Sequence, residues 1–249
     1  MVESFLNQRA RSRRPHRETL LFLLMGQTSL LMQVAHPSVA RAVREHSSYD
    51  SQPMRRLWRT YDLSMKLFTG SEAQAREAAA QINRTHQPVK GATYDARDPQ
   101  LGKWVWATLI YGALRGHTLF FGDLERAEKQ VVLDTFRRRG ALLGLRNNMS
   151  RTVDDLHRYI DEMIATGEVG VGDDAREITR LILGPVPAPL RPLTAYLARA
   201  TLPAALRRQY GLSWSPLSRR AFENLVRPTA NALLPHLTAE MICLEAERL

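Results

Sequence analysis

"PMRRLWRTYDLSMKLFTGSEAQAREAAAQINRTHQPVKG", residues 53–91, contains two helices and their stop signals. Pro53 suits a first helical turn, where its missing N–H is not needed. Apolar residues then recur at helical spacing until Gly70, a glycine placed to close a helix. Ser71 caps the second helix, and the acidic Glu72 suits its start. Pro88 disfavours helical backbone at Gln87, so this second helix ends near His86. Nothing in the stretch alternates with a period of two, and that sets the fold class.

The same period continues in both directions. A first core helix is expected over 18–34, and Pro37 opens a second, "PSVARAVREHS". "KGATYDARDPQ" reads as a loop, and Asp98-Pro99 opens the helix "LGKWVWATLIYGALRGHTLFF". Further helices are expected over 123–139 with Asp123 as N-cap, over "TVDDLHRYIDEMIATG" capped by Thr152, and over 173–183, 192–209 and 216–233. "GPVPAPLRP", 184–192, is too short and too apolar for a flexible linker and is expected to cross the surface as an ordered connector. No Asn-Gly or Asp-Gly hairpin stands between alternating apolar runs. The expectation is an all-α fold: a basic tail over 1–17, then one domain over 18–249 of roughly nine or ten helices, with a pocket between facing helices.

The 249 residues carry a net charge of +10 and a single cysteine, Cys243. One cysteine excludes an intramolecular disulfide framework, a multi-cysteine metal site and a cysteine-ligated iron–sulfur cluster. Arg9, Arg11, Arg13, Arg14 and Arg17 crowd the N-terminus, and Arg137, Arg138 and Arg139 form a second run. Such charge attracts anionic lipid, nucleic acid or anionic cofactors, or simply solvates a surface. "SRRPHRETLLFLLMGQTSLLMQVAHP" looks like a twin-arginine export signal, but Gly26 to Ser29 and Gln33 interrupt its apolar run. It runs on into domain-like sequence and is taken as the first core helix, with a cytoplasmic location expected. No uninterrupted apolar run is long enough to span a bilayer.

The chain lacks a dinucleotide-binding glycine pattern after a strand, a Walker loop, GxSxG and HExxH. Three clusters carry chemistry. The first holds His36, Glu45 and His46. In the second, "RRLWRTYD", Arg56 and Thr60 lie one helical turn apart, with Arg59 on a neighbouring face. A guanidinium and a hydroxyl converging on one pocket can hold a carboxylate or polarise a bound oxygen species. The alternative is surface arginines flanking a buried Leu57–Tyr61 stripe. The third is His86, followed by Lys90, Gly91, Tyr94 and Trp104. One imidazole suffices to hold haem iron, although a lone histidine near a helix end is more often a structural residue.

Taken in order, "LLMQVAHPSVARAVREHS", "PMRRLWRTYD" and "INRTHQPVKGATYDARDPQLGKWVWATL" resemble the mpaB-type and latex-clearing-protein-like oxygenases. The shared elements are His36-Pro37, His46-Ser47, Arg56-Leu57 with Thr60, His86 with Val89 and Gly91, then Tyr94, Ala96, Asp98-Pro99, Leu101 and Trp104. "LRRQYGLSWSPLSRR" also looks like that family's tail. The resemblance covers about residues 20–235.

It implies an all-helical fold holding haem b, with His86 as the iron ligand. Arg56 and Thr60 would line the pocket and act in catalysis, and His36, Tyr94 and Trp104 would complete the cofactor site. Arg59 stands where the rubber-cleaving members have a lysine, and Glu45 is the nearest match to their upstream glutamate. Trp106 stands where many members have a histidine. The apolar residues Leu57, Leu63, Trp104, Leu109 and Tyr111 suit a porphyrin or an isoprenoid, or a plain core. The implied activity is oxidation or cleavage of a hydrophobic, isoprenoid-like alkene by dioxygen. The alternatives are a haem sensor or carrier without turnover, and a basic helical nucleic-acid binder. No convincing helix-turn-helix supports the last, so the expected partners are a small hydrophobic substrate and dioxygen, not nucleic acid. Peripheral membrane contact through the basic N-terminus is a further expectation.

Overall fold

The computed structural model describes residues 26–46, 53–145, 149–183 and 191–226, with isolated positions 228 and 232; the side chains of 53–58, 61, 181–183, 191–195 and 226 are excepted. The basic tail, most of the 184–192 connector and the early part of the 18–34 helix therefore lie outside the described residues.

A first helix, α1 (26–34), leads through Ala35 and His36 into α2 (Pro37–His46). Then come α3 (Pro53–Thr69), α4 (Glu72–His86), a two-residue ribbon of β1 (Lys90–Gly91) and β2 (Tyr94–Asp95), and α5 (Pro99–Phe121). After these run α6 (Arg126–Leu142), α7 (Val153–Ala165), α8 (Asp173–Leu183), α9 (Arg191–Thr201), α10 (Ala204–Gln209) and α11 (Pro216–Ala221). A π-turn, Phe222–Val226, continues α11. The fold is all-α, as the helical period dictates.

Helix α5 is the axis of the domain. It buries Leu101, Trp104, Trp106, Ile110, Leu114 and Phe120, residues that point to all sides of the helix. A helix that is apolar all round must be surrounded, and α3, α4, α6, α7 and α9 assemble on and around it. Helix α1 is fastened to this axis by buried hydroxyls. Ser29 Oγ donates to the Thr108 carbonyl at 3.1 Å, and Gln33 Nε2 donates to Thr108 Oγ1 at 3.1 Å. The Thr28 and Thr201 hydroxyls meet at 2.6 Å, tying α1 to α9. The Tyr210 hydroxyl donates to the Leu31 carbonyl at 2.8 Å. Each of these buried polar groups is satisfied, so burial does not carry its usual penalty.

The expected caps are present. Ser71 Oγ accepts from the Gln74 N–H, Asp98 from the Gln100 N–H and Thr152 Oγ1 from the Asp155 N–H. Four details differ from the sequence reading. Asp123 does not cap α6; it accepts from Thr118 Oγ1 at 2.9 Å, and Glu125 takes the N-cap position. The helix expected over 192–209 is two, because Pro203 has no N–H to continue the ladder and becomes the N-cap of α10. The "KGATYDARDPQ" loop contains the antiparallel pairs Lys90–Asp95 and Gly91–Tyr94. The last helix changes to a π-turn at Phe222. Among the described residues no helix is long and apolar enough to cross a membrane.

Candidate functional site

Helices α3 and α4 form an antiparallel pair joined by Gly70 and Ser71 alone. On α3, Leu63 and Leu67 face the core; on α4, Ala75, Ala78 and Ala79 do, with Ile82 half-buried. The small alanines let the helices approach closely. Followed toward the open end, both inward stripes change character. One turn before Leu63 stands Thr60, and one turn after Ile82 stands His86; both are exposed. His86 is fourteen residues beyond Glu72, about 21 Å along α4. The same distance back from Thr69 falls at Arg55, beside Arg56. The hairpin therefore sets His86 level with the first turns of α3, where Arg56 stands one turn before Thr60. Arg59 is on that helix too, and exposed. The side chain of Arg56 is outside the described residues.

The chain leaves α4 by a tight exit. Val89 donates its N–H to the His86 carbonyl at 3.0 Å, and Ala96 donates to the Val89 carbonyl at 2.9 Å, which folds the ribbon back directly beyond His86. Gly91 is required there, because a Cβ on it would lie 2.6 Å from the Tyr94 ring. That ring is buried, and its hydroxyl donates to Glu45 Oε2 at 2.5 Å. The His46 ring meets Tyr94 edge-on, centroids 6.0 Å apart. Arg41 on α2 donates to Thr93 Oγ1 at 2.9 Å and secures the ribbon tip. Burial, reinforced by the Glu45 carboxylate, pushes the Tyr94 phenol up to about 12. It stays a proton donor to Glu45 across the neutral range.

His36 and Trp104 have contacts of their own. His36 precedes α2, and its Nδ1 accepts the Ser38 N–H at 3.2 Å, a capping role with Pro37 in the first turn. Burial lowers its pKa, opposed by Glu168 and Asp98. Trp104 is fully buried in α5, edge-on to Tyr159 of α7 at 6.4 Å. Its Nε1 has no hydrogen-bond partner among the described residues. Tyr111, half-buried, donates to the Thr201 carbonyl at 3.1 Å and so belongs to the α5–α9 contact. Leu63 is core, Leu109 is half-buried against it, and Leu57 lies outside the described side chains.

Trp106 has a structural account. Its Nε1 donates to the Phe136 carbonyl at 2.9 Å, and its ring stacks on Phe68 at 5.5 Å. It fills the space between α3, α5 and α6, where an imidazole would leave a void.

Residues 13–231 match the family described as ER-bound oxygenase mpaB/B'/Rubber oxygenase, catalytic domain. The chain belongs to the mpaB/rubber oxygenase family. It is also similar to an uncharacterised protein of Mycobacterium bovis and to one of Mycobacterium tuberculosis, each 26% identical over 238 residues, covering 86% of this chain and 90% of the relative. No solved structure matches.

Within this mpaB/rubber oxygenase domain, Tyr94 and Glu45 meet between the ribbon and the end of α2, and the α3–α4 hairpin carries the turns of Thr60 and His86 to one end. His46 of the first cluster, the last residue of α2, joins Tyr94 and Glu45. Sequence reasoning gave no partner for Tyr94, because a contact between positions 45 and 94 has no local signature. Among the described residues no three His, Cys, Asp or Glu side chains group as a protein-ligated metal ion would need. A haem asks for less, one axial imidazole and an apolar wall. His86 offers the imidazole, and the half-buried Ile82 one turn before it is the apolar neighbour on its stripe.

Proposed function

We propose that this domain is a haem b-dependent oxygenase that oxidises or cleaves a hydrophobic alkene, with an isoprenoid as the substrate class. The observation that carries the reading is the hairpin's open end. Two apolar stripes run out together there into a single imidazole on one helix and an arginine–threonine turn on the other. The family membership supports the oxygenase class.

In this reading His86 holds the iron. It sits in the last turn of α4, where the helix dipole favours the positive charge of an iron held by the neutral imidazole. Bound there, haem b supplies the centre at which dioxygen is activated. Arg56 and Thr60 offer a guanidinium and a hydroxyl to a developing oxyanion. Arg59 keeps the positive charge of the lysine it replaces, in a planar, forked form. Glu45 serves as the base. Its Oε2 is occupied by the Tyr94 hydroxyl, so Oε1 is the atom that takes the proton, and Tyr94 fixes the direction from which it does so. An apolar wall beside this turn would exclude water and give the alkene its binding energy.

The test is spectroscopic first. Purified protein, or apoprotein titrated with haemin, should show a Soret band, and a pyridine haemochrome assay should identify haem b. His86→Ala should alter or abolish that band, while Thr60→Val should keep it. Protein that takes up no haem, or a His86→Ala spectrum identical to wild type, overturns the assignment. Oxygen uptake with a polyprenyl substrate then separates an enzyme from a haem carrier.

A further inference from the structure

A hollow of about 370 Å³ lies between α5, α7 and the segment that enters α7, and none of its lining residues belongs to the oxygenase reading. That volume is in the range of small-molecule sites. Its walls are set by the fold. Tyr159 of α7 is half-buried and edge-on to the fully buried Trp104 of α5 at 6.4 Å. Lys103, the neighbour of Trp104, lays its ammonium over the Tyr159 ring, 4.0 Å from the centroid. Met149 and Ser150 line the third side. Met149 packs on α6, where a Cβ on Gly140 would lie 2.7 Å from its sulfur. Gln130 of α6 donates to the Arg151 carbonyl at 2.9 Å and fixes the same segment. Three helices therefore hold the hollow in place.

Its free groups are donors. Among the described residues no carboxylate is in an ion pair with Lys103 or Arg151. The Lys103 ammonium and the Ser150 and Tyr159 hydroxyls have no hydrogen-bond partner among them either. Burial first, and the Glu168 carboxylate second, push the Tyr159 phenol up to about 12, so it stays a donor at neutral pH. Arg158 is committed to Asp155 at 3.1 Å, and Asp155 also accepts the Thr152 N–H. Glu162 stands exposed at the rim. Three cations against two carboxylates leave the lining with one positive charge. A half-buried ammonium without a counterion is costly, and an aromatic face compensates it only in part.

We propose that this hollow binds a small organic monocarboxylate, its carboxylate held by the Lys103 ammonium and the Ser150 and Tyr159 hydroxyls and its apolar body lying against Met149. An ionised carboxylate only accepts hydrogen bonds, through two oxygens with about four lone-pair sites, and so suits a set of unpaired donors. Its single negative charge matches the surplus of the lining. A phosphate dianion would bring one charge too many beside Asp155 and Glu162, and a neutral ligand would leave Lys103 without a counterion. Binding of this kind needs no haem.

Full-length protein labelled with nitrogen-15 is titrated at fixed ionic strength with phenylacetate, with its neutral amide phenylacetamide, and with inorganic phosphate. Heteronuclear NMR and calorimetry follow each titration. Phenylacetate should move the amide resonances of Ser150, Tyr159 and Glu162, and should bind about tenfold more tightly than phenylacetamide, the worth of one charge-assisted contact. Lys103→Gln should weaken phenylacetate binding by about tenfold and leave phenylacetamide binding unchanged. Tyr159→Phe should weaken phenylacetate binding by about fivefold. His86→Ala should bind phenylacetate as wild type does, which separates this site from the oxygenase reading. The resonance shifts are read on wild type and depend on no variant folding. If phenylacetate in large excess moves none of these resonances, the proposal is overturned. A Lys103→Gln protein that binds phenylacetate as wild type does also overturns it, and assigns the binding to other cations of the chain. Tighter binding of phosphate than of phenylacetate at the same resonances would overturn the monocarboxylate assignment.

Discussion

Replacing Trp106 by phenylalanine should destabilise the domain by about 2 kcal/mol. The side chain is 4% exposed, stacks on Phe68, touches Phe136 and donates its Nε1–H to the Phe136 carbonyl. A phenyl ring keeps most of the stacking and loses two things. One is the hydrogen bond, worth about 1 kcal/mol net. The other is the volume of the indole's second ring, whose loss leaves a small cavity costing about another 1 kcal/mol. Truncation to alanine removes the whole plug and should cost about 3–5 kcal/mol. For a chain of this length each kcal/mol moves the melting temperature by about 2–4 °C, so the drops should be about 4–8 °C and about 6–20 °C. Differential scanning calorimetry and urea titration read both. A double-mutant cycle sharpens the test. A Cβ on Gly140 would lie 2.8 Å from Trp106 Nε1, so Gly140→Ala should cost more in wild type than in the Trp106→Phe background. If Trp106→Phe costs less than about 0.5 kcal/mol, or if the two sites are additive, the indole does not brace α3 against α5 and α6 as described.

Two further outcomes concern the titrating groups. His36 has a folded pKa below its ordinary value because it is buried, so near and below pH 6.5 the unfolded chain binds more protons than the folded one. Stability should therefore rise with pH through that window and fall as pH drops below it. His36→Asn keeps a capping acceptor for the Ser38 N–H and should flatten the dependence, as thermal melts between mildly acid and neutral pH would read; an unchanged slope would place the titrating group elsewhere. Tyr94, at about 12, is raised by burial first and by Glu45 second. Glu45→Gln should lower it, read by NMR of ring-labelled tyrosine, and no movement of the Tyr94 resonance would mean that the bond to Glu45 does not form in solution.

The candidate site was legible in the sequence to unequal degrees. His86 could be placed at a helix end because Pro88 follows closely, and α4 ends there, although Gln87 itself keeps right-handed helical backbone at φ −54° and ψ −45°. Arg56 and Thr60 could be placed one turn apart because helical period is a local property. That His86 stands level with that turn was not readable from either helix alone. It depends on Gly70 and Ser71 reversing the chain in two residues, which makes two local periods into one antiparallel register. His36 and Trp104 match the family pattern; His36 also caps α2, and Trp104 meets Tyr159 of α7.

By itself the sequence determined the all-α class, most of the helices and the caps at Ser71, Asp98 and Thr152, since these rest on contacts within a few residues. It also determined that one histidine ends a helix beside a proline. Tertiary structure alone decided the pairing of Tyr94 with Glu45, the bracing by Trp106 and the placing of Lys103 over the Tyr159 ring. Those contacts join positions far apart in the chain, or depend on which side of a helix the core takes. A periodic pattern marks an apolar stripe; only packing decides where that stripe runs out, and here it runs out at His86.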